Sequence, residues 1–168
     1  MALTVETGSG LSNSESYASV SHADDYHTDR GNTLWFTMST AEKEQALRRA
    51  TDYMIQTYRN RWAGTRVYTT QALDWPRYGV VIDLITSIDS DTVPSDIRHC
   101  CIDLAFKAAG GDLIPDITQS AIRKKVGDIE IEYDRLSPQR PVYLEIDSIL
   151  APYLNGFTSG VNSRLVRS

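Results

Sequence analysis

The chain has 168 residues, 41% of them hydrophobic and 23% charged, with a net charge of −5. That length fits one domain able to bury roughly two thirds of the surface its unfolded form exposes. No run of about 18 apolar residues is present to span a membrane. The acidic balance disfavours tight, sequence-blind nucleic-acid binding, which needs a basic face to displace counterions.

Residues 1–15 are rich in Gly, Ser and Thr around Gly8-Ser9-Gly10, and read as an extended arm or loop that a neighbour would order. The opening Met1-Ala2-Leu3-Thr4-Val5-Glu6 lacks the basic and apolar regions of a secretory signal, so a cytosolic origin is expected. A short helix is predicted from Val20 to Arg30, capped by Ser19 or Ser21 and stopped at Gly31. His22 and His27 are five residues apart, so they do not share a face as metal ligands, and they read as surface or satisfied polar groups.

The clearest helix begins at Ser39-Thr40-Ala41-Glu42, a capping box in which Ser39 and Glu42 satisfy each other's amides. Lys43, Leu47, Ala50, Met54 and Tyr58 form one stripe of it, and Gln45, Arg48, Arg49, Asp52, Gln56 and Arg59 the opposite one. The helix is expected to end near Trp62-Ala63-Gly64. The turn Gln71-Ala72-Leu73-Asp74-Trp75-Pro76-Arg77 follows, in which Pro76 restricts its predecessor and presents Trp75 from a rigid backbone. Trp75 and Pro76 are therefore the expected structural anchor, buried by the two main helices.

The second main helix is predicted at 95–109, with Pro94 in its first turn and Asp96 complementing the dipole. Its buried stripe is Ile97, Cys101, Leu104, Ala105 and Ala108. Cys100 and Cys101 are adjacent in a helix, a poor geometry for a mutual disulfide, and read as buried apolar residues. From Val126 the period becomes two: Val126-Gly127-Asp128-Ile129-Glu130-Ile131-Glu132-Tyr133 alternates as a strand with one wet face. Ser120–Lys125 is either its hairpin partner or a helix end. A short helix is predicted around 145–154, and residues 156–168 form a tail punctuated by Gly and Ser. Together these elements predict a mainly α fold: a small helical bundle over 16–155 with a strand or hairpin excursion near 120–135 and extended terminal arms.

No phosphate loop, nucleophile elbow, paired-His helix or zinc spacing occurs, so no catalytic, cofactor or metal residues are assigned and no enzyme is expected. Tyr58-Arg59-Asn60-Arg61-Trp62 is the nearest approach to a basic–aromatic cluster, and a helix end carrying cations is its simpler account.

In shared order, Ser14-Glu15-Ser16-Tyr17-Ala18-Ser19-Val20, Glu42–Tyr53, the Gln-x-Leu-x-Trp-Pro-Arg turn and Lys125–Tyr133 resemble the head–tail adaptor (connector) proteins of tailed bacteriophages. That family is also described as DnaT-like single-stranded-DNA-binding, and the resemblance runs from the N-terminus to about Tyr133. It implies a structural virion protein of the neck, synthesised in the host cytoplasm. Its partners would be sister subunits in a ring, typically dodecameric, the portal protein above and a neck or tail component below. Double-stranded DNA would pass through the channel without specific binding. By the resemblance, the strand with Asp128, Ile129, Glu130, Ile131, Glu132 and Tyr133 is a candidate for inter-subunit or portal contact, and its charge makes it a candidate channel element as well. Its acidic residues would suit a wall that repels DNA. The tail, with Arg164, Leu165, Val166 and Arg167, is the candidate portal-docking element. The alternative implied by the family's other description is a single-stranded-DNA-binding replication accessory.

Overall fold

In the computed structural model, the described residues are 2–115, 123–126, 129–132 and 141–155. Four α-helices, two short 3-10 helices and three two-stranded antiparallel ribbons account for the regular structure among them, so the domain is mainly α. Helix α1 spans Val20–Asp29, with the Ser19 side chain accepting a hydrogen bond from the His22 amide. A 3-10 helix follows at Thr33–Thr37. Helix α2 spans Thr40–Tyr58 and starts on the complete Ser39–Glu42 capping box. Helix α3 spans Ser95–Ala109, with Pro94 one residue outside it rather than within its first turn. Helix α4 spans Leu144–Leu150 and runs into a 3-10 turn at Ala151–Tyr153.

The predicted stripes are the ones that meet. Leu47, Ala50, Met54 and Tyr58 of α2 and Ile97, Cys101, Leu104, Ala105 and Ala108 of α3 are all buried, and α2 against α3 is the largest helix–helix contact. Lys43 joins this stripe because its ammonium is matched twice. It pairs with Asp24 at 2.8 Å and lies over the rings of Trp35 and Phe36. Cys100 and Cys101 are buried and unpaired, and burial pushes both thiols up.

Three expectations change. Residues 2–18 fold onto their own chain rather than standing off as an arm. Val5 bridges to Ser16, and Glu6, Ser14, Ser16 and Tyr17 are buried. The reason is a single carboxylate. Glu6 Oε1 accepts the amides of Gly8 and Gly10 at 2.9 Å, while Oε2 accepts the Leu11 amide at 2.8 Å and the Ser14 hydroxyl at 3.2 Å. Gly8 has φ 118°, and a Cβ there would meet the Asp91 carbonyl, so the loop lies tight against the domain, where Leu3, Tyr17 and Ala18 also pack on the core.

Secondly, Val126–Tyr133 is not one strand. Strand β5, Arg123–Val126, and β6, Ile129–Glu132, pair antiparallel with Val126 opposite Ile129 and Arg123 opposite Glu132. The intervening Gly127-Asp128 dipeptide is the sequence signal for such a break, and β5 is the adjacent partner the alternating pattern lacked. Thirdly, of the two readings of His27, surface or satisfied polar group, the surface one is excluded, because the residue is fully buried. Its Nδ1 meets Asn32 Nδ2 at 3.0 Å, and its ring packs on Trp35 and Phe106.

Candidate assembly surface

The Gln71–Arg77 turn forms a closed polar knot around Trp75. The Gln71 amide nitrogen donates to the carbonyls of Leu73 and Pro76, and its oxygen accepts the Tyr68 amide. Arg77 donates to the carbonyls of Ala63, Asp74 and Gly64 at 2.7, 3.2 and 2.6 Å, tying the turn to the segment that follows α2. Arg59 pairs with the buried Asp74 carboxylate at 3.0 Å. Trp75 is fully buried, edge-on to Trp62 and Tyr153. Trp75 and Pro76 are both buried, but the rings against Trp75 come from Trp62, four residues beyond α2, and from Tyr153 of the C-terminal 3-10 turn rather than from the two main helices expected to cover it.

Two further ribbons grow from this knot. Strand β1, Thr65–Arg66, pairs with β2, Arg77–Tyr78. Tyr78, opposite Thr65, is 69% exposed, and Tyr68, two residues past β1, is 52% exposed. Strand β3, Val81–Ile82, pairs with β4, Thr86–Ser87, rooted by the buried Val80, whose carbonyl accepts the Ile88 amide. At the tip, Asp83 and Leu84 have φ 52° and 66°, the left-handed values of a tight hairpin turn. Leu84 is 98% and Ile85 88% exposed. A left-handed turn built on Leu rather than Gly or Asn, with two aliphatic side chains facing water, stands out on this surface. The sequence reading missed it because Ile82-Asp83-Leu84-Ile85 carries no Gly, the usual mark of such a turn.

The other expected site residues separate. Ile129, Glu130, Ile131 and Glu132 form β6, whereas Asp128, Tyr133, Arg164, Leu165, Val166 and Arg167 lie outside the described residues. The charged face of α2 is put to internal use. Arg48 pairs with Glu15 at 3.0 Å and Glu44 at 3.5 Å, strapping the N-terminal loop to the helix. Arg48 holds the Glu15 carboxyl below the usual range. His22 and His99 stack obliquely, 5.8 Å between ring centroids, and burial lowers both. Among the described residues, no group of three or more His, Cys, Asp or Glu could hold a metal ion, and no helix is long and apolar enough to cross a membrane.

These features define a mainly α protein whose turn-and-ribbon region holds aliphatic and tyrosine side chains out to solvent. Residues 1–168 match the family described as "Putative DnaT-like ssDNA binding protein", and the chain belongs to that family. No curated protein matches, and neither does any solved structure.

Proposed function

We propose that this protein is a structural head–tail adaptor of a tailed bacteriophage. Copies would form a ring beneath the portal, extend the DNA channel and join the head to the next neck or tail component. The observation that carries this reading is the β3–β4 tip, where Leu84 and Ile85 are the most exposed large hydrophobic side chains among the described residues of this acidic chain. Adjacent aliphatic side chains held outward are a feature of surfaces completed by another protein. The order of sequence motifs resembling phage adaptors adds to it. The β5–β6 ribbon would serve between subunits or along the channel. The tail with Arg164, Leu165, Val166 and Arg167 would dock on portal.

A second reading, single-stranded-DNA binding, is the one for which the family description speaks directly. One observation favours it: two tyrosines, Tyr78 on β2 and Tyr68 two residues past β1, are exposed in this region, and exposed rings are what bases stack on. The net charge of −5 weighs against it.

Two measurements decide between them. The adaptor reading expects removal of residues 157–168 to leave the melting temperature unchanged, abolish capture by portal and yield tailless heads. It also expects no retardation of a single-stranded oligonucleotide at low salt. Retardation that Tyr78→Ala abolishes, together with infectious particles from the truncated chain, would establish the DNA-binding reading instead.

A further inference from the structure

The β3–β4 tip has a counterpart on the same molecule. An apolar cleft of about 450 Å³ opens between the 3-10 helix and the C-terminal end of α3, lined by Leu34, Met38, Phe106 and Lys107. Leu34 is 68% exposed at its mouth, beside a 47% exposed Phe36. The two features cannot meet within one chain. Strand β3 packs on the 3-10 turn Ala151–Tyr153, and Tyr153 bonds to Asp96 in the first turn of α3. The cleft residues Phe106 to Gly110 sit at the other end of that helix, whose 15 residues span about 22 Å. The charges are complementary. Residues 79–92 carry Asp83, Asp89 and Asp91 and no cation, whereas the cleft is lined by one cation, Lys107, and no carboxylate.

We infer that the Leu84–Ile85 tip of one copy docks in the Leu34–Met38–Phe106 cleft of a second copy, with Asp83 facing Lys107. The contact is heterologous, because tip and cleft are different surfaces at opposite ends of α3, so it propagates head to tail. The left-handed backbone at Leu84 fits this role. Gly would form the turn without strain, yet the position holds a large aliphatic that gains nothing from burial in its own chain. The inference deepens the assembly reading above and rests on it only for the purpose of the contact.

The test uses the full chain in sedimentation velocity over a concentration series. The wild type is expected to self-associate, and Leu84→Asp and Leu34→Glu, both at exposed positions, to raise the dissociation constant about tenfold or more. Each variant keeps one intact half, so an equimolar mixture is expected to form dimers and nothing larger. Leu84→Gly is expected to weaken association while raising the melting temperature. A wild type that stays monomeric at millimolar concentration overturns the inference, as do variants that associate like wild type or a mixture that stays monomeric. Because no portal or particle enters this experiment, its failure leaves the adaptor reading to its own test.

Discussion

The hydroxyl oxygen of Tyr17 accepts the backbone amide of Asp74 at 3.0 Å and approaches that of Trp75 at 3.4 Å, joining residues 57 and 58 apart in sequence. This buried bond fastens the N-terminal loop to the Trp75 knot, so loop and knot should respond together. Tyr17→Phe keeps the ring but orphans a buried amide, at an expected cost of about 1–3 kcal/mol. That corresponds to a fall of several degrees in melting temperature. An unchanged melting temperature would mean that the knot holds itself.

Trp75 is enclosed by Trp62 and Tyr153 with no exposed surface. Trp75→Ala should cost about 3–5 kcal/mol, as for other buried aromatics. Thermal or urea unfolding measures it, and a loss below 1 kcal/mol would sink the anchor argument.

Glu6 uses both carboxylate oxygens to accept four donors. Glu6→Gln turns one oxygen into a donor facing donors, so at least one of the four loses its partner. The expected loss is about 2 kcal/mol, concentrated in residues 4–16. Amide hydrogen exchange reads it directly: protection should fall at Gly8, Gly10 and Leu11 and persist in α2 and α3.

Burial lowers the His27 imidazole from 6.5 to about 4, with the Arg30 charge acting in the same direction. Between those values the unfolded chain binds a proton that the folded chain does not. The contribution is therefore fully present above pH 6.5 and is lost as pH falls toward 4, by at most about 3 kcal/mol. His22 and His99 act with the same sign. Urea unfolding at a series of pH values should show stability falling across this window, and His27→Gln should flatten the slope. An equal slope in that variant would remove His27 from the account.

The parts of this fold legible in sequence are those decided within one or two helical turns. Ser39 and Glu42 meet because a capping box spans three residues, and the α2 and α3 stripes follow from a period of 3.6. Trp75 could be named as an anchor because an aromatic fixed beside proline has few other uses. The tertiary structure decided what depends on distant partners. Glu6 looks like one more surface carboxylate until Gly8, Gly10, Leu11 and Ser14 wrap it, and His27 looks like a surface residue of an amphipathic helix until Trp35 and Phe106 cover it. Ser120–Lys125 reads equally as a hairpin partner or a helix end, and it is the pairing of β5 with β6 that decides for the hairpin, because a short segment takes its state from the strand it pairs with. The exposure of Leu84 and Ile85 is the extreme case. Side-chain chemistry places them in a core, and only the left-handed turn at Asp83 and Leu84, held out from the Trp75 knot, turns them to water.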